Sequence, residues 1–181
     1  VERLLRGERD PLIEATAVRP GDSVLDCTAG LAADAIDFAQ AVGDEGSVVA
    51  LESEKALCFL VAEGLKRHRT ESEAVNAAMR RIELRCVDHR IYLREQPSKS
   101  VDVVYFDPMF RTPVLESAVM EPLRAAANPS PLTEETIDQA RRVAKRCVVL
   151  KELAASGEFA RLGFETIRHK DGKIAYGVMY A

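Results

Sequence analysis

A chain of 181 residues suits one domain and is long enough to bury a substantial core without disulfides or structural metal. Its composition is 47% hydrophobic and 30% charged, with no apolar run long enough to cross a bilayer, which argues against both a disordered and a membrane-spanning chain. The net charge of −4 argues against a strongly basic nucleic-acid surface, although local patches can still bind phosphate.

Four cysteines, Cys27, Cys58, Cys86 and Cys147, are widely spaced, form no CxxC pair and mostly lie in apolar runs. This pattern is typical of reduced core thiols. Since no signal peptide is visible either, we expect a cytoplasmic protein. The chain opens at Val1 rather than at a methionine, which is consistent with further residues upstream, and the sequence leaves a homo-oligomer open.

Taken in chain order, the sequence predicts helices alternating with short apolar strands. After a helical lead-in over residues 1–20, the predicted elements are strand 23–27, helix 32–42, strand 47–52, helix 53–68 capped by Ser53, helix 70–81, strand 82–87, a short helical segment, strand 101–106, helix 115–127, helix 133–146 capped by Thr133, and strand 147–151. This alternation indicates a parallel sheet with helices on both faces. The basic side chains late in helix 133–146 (Arg141, Arg142, Lys145 and Arg146) are expected to form a solvated face.

The chain ends with two strand-like runs, 164–169 and 173–180, which Lys170, Asp171 and Gly172 separate. Asp-Gly between such runs is a strong hairpin signal, so the two strands should be antiparallel. The common nicotinamide-binding Rossmann domain continues with parallel crossovers instead. The sequence therefore predicts a single α/β domain over residues 1–181, Rossmann-like, with a mostly parallel central sheet and a C-terminal antiparallel hairpin.

Acids or small residues lie at the carboxyl ends of four of the predicted strands. They are Asp26, Thr28, Ala29 and Gly30 at the first strand, Glu52 at the second, Asp88 and His89 at the third, and Asp107 at the fourth. In doubly wound sheets, ligands bind beyond the carboxyl ends of the strands, where small residues admit a ligand and an acid accepts hydrogen bonds from ribose hydroxyls. One such acid alone is more typical of a helix cap or a turn, but four in one sheet favour a nucleoside cofactor.

A phosphate-binding glycine fingerprint is missing from the turn after the first strand. Gly30 is followed by Leu31, Ala32 and Ala33, so no GxGxxG motif is present. A pyrophosphate cradle is therefore not expected, and the nucleoside cofactor should be one that carries no phosphate.

Several strings of the sequence resemble one known family. LDCTAGLAADA (25–35), the acid Glu52, VVYFDPMF (103–110) and VVLK (148–151) resemble the small-subunit ribosomal RNA guanine-N2 methyltransferases of the RsmJ type and their uncharacterised relatives. The similarity covers nearly the whole chain from Gly21 onward. It implies a Rossmann-like class I methyltransferase fold, S-adenosylmethionine (SAM) as cofactor and small-subunit ribosomal RNA as substrate.

The resemblance also implies which residues bind the cofactor. The family's Arg-Asp after the first-strand turn falls at Ala33 and Asp34, its Glu-Arg pair at Glu52 and Ser53, its polar pair at Asp88 and His89, and its DPMF aspartate at Asp107. The acids are kept, both arginines are lost, and the second glycine of the turn is Ala32. These departures and the negative net charge argue against the ribosomal substrate more than against the cofactor.

The turn after the fourth strand supplies the expected target site. For an exocyclic amine, the Asp107 carboxylate and the Pro108 carbonyl can accept N–H bonds while Phe110 stacks on the flipped base. Methyl transfer from a sulfonium is an in-line displacement that needs neither a metal nor a covalent nucleophile. The alternative is structural, with Phe110 in the core, Pro108 ending the strand and Asp107 capping a helix.

Other functions remain open at this point. Within the enzymes, the alternative is methylation of a small molecule or a protein side chain. A binding module could keep the fold and the cofactor pocket without catalysis. A nicotinamide dehydrogenase is disfavoured by the missing glycine fingerprint and by the terminal hairpin.

Overall fold

A computed structural model describes residues 10–108, 131–168 and 173–181 of the chain. In chain order the elements are α1 (Pro11–Thr16), β1 (Ser23–Asp26), α2 (Ala33–Val42), β2 (Ser47–Leu51), α3 (Lys55–Arg67), α4 (Glu73–Arg81), β3 (Ile82–Arg85), α5 (His89–Glu95), β4 (Val101–Phe106), α6 (Glu134–Val143), β5 (Ala144–Leu153), α7 (Glu158–Arg161), β6 (Glu165–Arg168) and β7 (Ile174–Tyr180). The predicted helix 115–127 and Phe110 lie outside the described residues.

The strands of the described residues form one seven-stranded sheet in the order β3-β2-β1-β4-β5-β7-β6. The pairs from β3 to β5 are all parallel, whereas β7 lies between β5 and β6 and is antiparallel to both. The mostly parallel sheet with an antiparallel C-terminal hairpin is therefore confirmed. The chain order reverses between β1 and β4, which places the ligand-binding crevice at the carboxyl ends of these two strands.

Buried side chains cover both faces of the sheet. Along β1 and β4, Val24 and Val103 belong to one hydrophobic cluster, whereas their neighbours Leu25 and Val104 belong to the other. Successive residues of a strand point to opposite faces, so both faces are buried. This explains why the strands are continuous apolar runs in the sequence, as is typical of parallel sheets covered by helices.

Side-chain caps begin two of the helices, α4 and α6, whereas the cap predicted for α3 is wrong. Thr133 caps α6 as predicted, accepting a hydrogen bond from the Thr136 amide, and Ser72 caps α4. The prediction that Ser53 caps α3 is wrong, because the helix starts at Lys55 and Glu54 occupies the cap position. The Glu54 amide donates instead to the Glu52 carboxylate at 2.8 Å, so the acid at the end of β2 satisfies this amide.

The strand β5 starts three residues earlier than predicted. The sequence predicted a helix up to residue 146, but α6 ends at Val143 and β5 begins at Ala144, which pairs with Val101 of β4. Pairing with β4 overrides local helix propensity here. The expected solvated basic face is also wrong in part. The Arg142 guanidinium donates to the carbonyls of Leu93 and Gln96 at the end of α5, and that of Arg146 donates to Asp22 at 2.6 Å.

A disulfide joins Cys58 of α3 to Cys86, which follows β3. Their Cα atoms are 5.6 Å apart, a separation that the bond accommodates. The expectation of four reduced thiols is therefore wrong for this pair, and it no longer supports a cytoplasmic location; Cys27 and Cys147 are free and buried, as predicted. The pair is 28 residues apart in sequence and meets because α3 packs on β3. Closing a loop of this length stabilises a fold by about 3.5 kcal/mol.

No helix within the described ranges is long and apolar enough to cross a membrane.

Candidate active site

The carboxyl ends of the central strands bring the predicted acids to one edge of the sheet. Asp26 ends β1, Glu52 follows β2, and Asp107 follows β4, the strand that pairs with β1 on its other side. Because these strands are parallel and adjacent, the three carboxyl groups gather at the point where the strand order reverses.

Backbone hydrogen bonds fix the turn after β1 against two other strands. The Cys27 amide donates to the Tyr105 carbonyl of β4 and the Ala29 amide donates to the Leu51 carbonyl of β2, each at 2.9 Å. The Thr28 hydroxyl accepts a hydrogen bond from the Asp107 amide at 2.6 Å. The turn is therefore held rigidly between the ends of β2 and β4. The Thr28 hydrogen bond joins this turn, which is predicted to bind the cofactor, to Asp107 of the predicted target site.

The turn leaves open space above Gly30 although the family's second glycine is replaced. Gly30 adopts a φ of +50°, and a Cβ there would meet only the Thr28 carbonyl oxygen, at 4.0 Å. Ala32 is left-handed as well, with a φ of 61°, and its methyl group is fully buried. A left-handed alanine costs about 1 kcal/mol, which burial of the methyl group offsets in part. Ala32 therefore substitutes for glycine without closing the turn.

The Glu52 carboxylate is buried beside this turn and is already oriented. One oxygen accepts from the Gly30 amide at 3.1 Å and the other accepts from the Glu54 amide at 2.8 Å. Each carboxylate oxygen can accept more than one hydrogen bond, so both retain capacity for ligand hydroxyl groups. Glu52 thus combines a fixed orientation with free acceptor capacity, which suits the two hydroxyls of a ribose.

Asp26 is the most deeply buried of the three acids, with a relative exposure of 1%. Burial raises its pKa to about 8, against the hydrogen bond that one of its oxygens accepts from the Thr28 amide, and the nearby charges of Asp34 and Asp107 raise the pKa further. At neutral pH, Asp26 is therefore largely protonated and can donate a hydrogen bond as well as accept one.

Replacing Asp26 by Asn should stabilise the fold above neutral pH. The carboxyl group of the unfolded chain titrates near its ordinary value of 3.8, so between about pH 4 and pH 8 the native state holds a proton that the unfolded state releases. Native stability therefore falls as pH rises through this window and levels off above it. In Asp26→Asn that slope should disappear and stability at pH 8 should rise by about 2 kcal/mol, measured by denaturant unfolding at several pH values.

Asp22 provides the control of opposite sign for this experiment. Burial acts to raise its pKa, but the hydrogen bonds from the Arg146 guanidinium and the Arg19 amide, together with the Arg146 charge, outweigh burial, and the pKa is lowered. Asp22→Asn should therefore lose stability at neutral pH. A loss of stability in Asp26→Asn at pH 8 would contradict the expectation and would mean that Asp26 is ionised in a favourable contact.

A second cluster, formed by Asp34, Tyr105, Asp107 and Lys151, lies on the β4 and β5 side of the site. The Lys151 ammonium contacts Asp107 at 2.8 Å and Asp34 at 2.9 Å, and the Tyr105 hydroxyl donates to Asp34 at 2.6 Å. Burial raises the pKa of Asp107 to about 6, which the Lys151 charge opposes. Asp34, in the first turn of α2, therefore braces this cluster, and Asp107 can be ionised at neutral pH.

Two residues of this cluster, Lys151 and Tyr105, were not predicted from the sequence to belong to the site. In the sequence, Lys151 is simply the last residue of the VVLK string. A single lysine at the end of an otherwise apolar strand is the available signal, because its charge needs a partner if the strand is buried. That signal does not identify the partners, since Asp34 is 117 positions away.

Asp88 and His89 lie at the start of α5, after β3. The Asp88 carboxylate caps the helix, accepting from the Arg90 amide at 2.8 Å, and pairs with the Arg90 guanidinium at 2.6 Å. The His89 ring stands edge-on to Phe106, with centroids 5.7 Å apart, and burial lowers its pKa. Asp88 thus has the structural role that strand-end acids commonly have, whereas His89 keeps a neutral ring beside β4.

The remaining predicted residues differ in exposure. Ala33 is exposed at the start of α2, and Ser53 and Pro108 are partly buried. Phe110 lies outside the described residues, so its role at the target site stays a prediction. Within residues 10–108, 131–168 and 173–181, no three His, Cys, Asp or Glu side chains form a group that could hold a metal ion.

A sheet of this order, with its last strand reversed and its acids at the ends of β1, β2 and β4, defines the methyltransferase variant of the Rossmann-like architecture. The profile of the family described as "Putative SAM-dependent methyltransferase" matches residues 2–159. The uncharacterized protein YpiP of Bacillus subtilis is 43% identical over 178 residues, 98% of this chain and 69% of that protein. The chain belongs to the SAM-dependent methyltransferase family, and SAM is its cofactor.

A second relative carries a functional name. Ribosomal RNA small subunit methyltransferase J of Acinetobacter baumannii is 32% identical over 114 residues, which cover 61% of this chain and 39% of that protein. The aligned region is thus well under half of that protein's length.

Solved structures share the fold at low sequence identity. A SAM-dependent methyltransferase from Aquifex aeolicus has a TM-score of 0.61 at 15% identity, with 94% of this chain and 88% of that chain covered. NGO1261 from Neisseria gonorrhoeae has a TM-score of 0.63 at 22% identity, with 99% of this chain and 66% of that chain covered. TrmN from Thermus thermophilus has a TM-score of 0.62 at 19% identity, with 93% of this chain and 46% of that chain covered. At these identities the likeness shows the fold alone.

The residues at the strand ends fit SAM. Glu52 offers two oriented oxygens for the ribose hydroxyls, and the open turn at Gly30 lets a ligand approach the backbone. The acidic groups at this edge of the sheet suit a positively charged sulfonium. The cofactor carries no phosphate, in agreement with the missing glycine fingerprint.

Proposed function

We propose that this chain is a single-domain enzyme that methylates an exocyclic base nitrogen, guanine N2, of small-subunit ribosomal RNA in the cytoplasm. The observation that carries the proposal is Asp107: a carboxylate after β4, fixed by Thr28 and Lys151 and next to Pro108. SAM, when bound, supplies the methyl group as an electrophile. The resemblance to ribosomal RNA small subunit methyltransferase J supports the substrate.

The side chains contribute orientation and charge. The Asp107 carboxylate accepts an N–H of the target amine, which aligns the nitrogen lone pair and stabilises the positive charge that develops on it. Because its pKa is raised to about 6, Asp107 can also take up the proton that the methylated nitrogen releases. The Pro108 carbonyl is the second acceptor, and Glu52, Asp26 and the turn 27–30 hold the cofactor.

The test is methylation of RNA from cells that lack the gene, so that the target nitrogen is free. Purified chain and isotopically labelled SAM are incubated with small ribosomal subunits, with their deproteinised RNA, and with a protein and metabolite fraction. We expect label in N2-methylguanosine, identified by nucleoside mass spectrometry, and RNA affinity that falls as salt rises. Label only in protein or in a small molecule would overturn the RNA substrate and support the alternative class of methyltransferase.

A further inference from the structure

Lys151 occupies a place in the sheet that sets it directly beside Asp107. Phe106 of β4 pairs with Leu150 of β5, so the next residue of each strand, Asp107 and Lys151, is adjacent at the carboxyl edge. The Lys151 side chain is only 17% exposed, and its ammonium lies between the carboxylates of Asp107 and Asp34. Burying an ammonium is costly unless a negative charge lies beside it, so this ion pair favours the ionised form of the Asp107 carboxylate.

We propose that Lys151 is a positioning residue whose ammonium holds the Asp107 carboxylate ionised and in place for the target amine, and that Asp34 tunes this hold by sharing the same ammonium. The inference rests on the proposed function, in which the Asp107 carboxylate accepts an N–H of the target amine. It gives a function to the buried ion pair between Lys151 and Asp107, which SAM binding alone does not require.

The charge balance around Asp107 depends on Lys151. Asp26 faces it from β1, Asp34 from α2, Tyr105 from β4 and Tyr176 from β7. Among these groups and Lys151, all of which lie in the part of the chain that the structure describes, the lysine is the one cation, and the others are acids or phenols. Burial raises the pKa of Tyr176 to about 12 and that of Tyr105 well above its ordinary value, so both phenols stay neutral. Without the lysine, the carboxyl groups would repel one another and Asp107 would take up a proton.

Asp34 competes with Asp107 for the ammonium. Both carboxylates contact the Lys151 Nζ at nearly equal distance, and the Asp34 carboxylate also accepts a hydrogen bond from the Tyr105 hydroxyl. Neutralising Asp34 removes a like charge near Asp107 and leaves the ammonium to Asp107 alone. Substitutions of Lys151 and of Asp34 should therefore shift the ionisation of Asp107 in opposite directions, which a general loss of structure would not do.

The experiment compares Lys151→Met, Lys151→Arg and Asp34→Asn in the full chain. In Lys151→Met, the acid limb of the pH–rate profile should move to higher pH by at least about one pH unit, with turnover partly recovered at alkaline pH. In Asp34→Asn it should move to lower pH, and Lys151→Arg should stay close to the parent. Lys145→Met, on the same strand but at its exposed start, is the matched control and should change nothing.

A second readout does not depend on turnover. The carboxyl carbon of Asp107 is followed by NMR titration of aspartate-labelled chain, with and without SAM, and assigned by its loss in Asp107→Asn. The same opposite shifts in Lys151→Met and Asp34→Asn would support the inference; an unchanged Asp107 titration in Lys151→Met, or shifts in one direction in both variants, would overturn it. A parent chain that methylates no RNA would overturn the proposed substrate, while the titration would still decide the role of Lys151.

Discussion

Asp107→Asn should lower turnover by at least about 100-fold, because it removes a proton acceptor and a charge positioned at the reacting amine. The Asn side chain presents an NH₂ group where the target amine also presents donors, so part of the site becomes repulsive. The fold should survive, since the backbone amide of residue 107 still donates to Thr28 and Lys151 still pairs with Asp34. SAM affinity should change by less than about 5-fold, because the loss is less than one full charge-assisted hydrogen bond.

The measurement is single-turnover methylation at saturating SAM, together with calorimetric titration of SAM. Asp102→Asn is the matched control: Asp102 lies at the other end of β4, where its carboxylate accepts from the Ser23 amide and hydroxyl. It should affect stability and leave the rate constant within about 2-fold. An Asp107→Asn chain that binds SAM and methylates at the parent rate would contradict the assignment of Asp107 to the target site.

Glu52→Ala should weaken SAM binding by at least about 100-fold. The substitution removes both oxygens that are available to the ribose, and hydrogen bonds to a charged acceptor contribute about 1.5–3 kcal/mol each. It also frees the Gly30 and Glu54 amides that orient the turn and the start of α3. S-adenosylhomocysteine, which shares the ribose, should lose affinity by the same factor, because the lost contacts do not involve the methyl group.

Calorimetric titration with both ligands checks this expectation, with NAD as the unrelated nucleotide. Glu54→Ala is the control, since its side chain is exposed and only its amide contacts Glu52. Glu52→Gln keeps one acceptor oxygen and should fall between the parent and Glu52→Ala. If Glu52→Ala stays folded by circular dichroism and binds SAM normally, the ribose site lies elsewhere.

Local sequence patterns were sufficient to predict the strands and helices in their chain order and most of the acids at the strand ends. Apolar runs, small-residue turns and the Asp-Gly signal are local features, so they could be read without knowing what packs against them. The acids Asp26, Glu52 and Asp107 could be grouped because parallel strands necessarily bring their carboxyl ends to one edge. Whether each of them contacts SAM or RNA stays a prediction.

The contacts between residues distant in the chain could be seen only in the folded protein. Lys151 meets Asp34 and Asp107, and Cys58 meets Cys86, only because β5 pairs with β4 and α3 packs on β3. The same pairing starts β5 at Ala144, against the helical pattern. Such contacts depend on register and burial, which act between elements, and burial also sets the pKa values of Asp26 and Asp107. The sequence thus specified which chemical groups reach the edge of the sheet, and packing specified their charge and their partners.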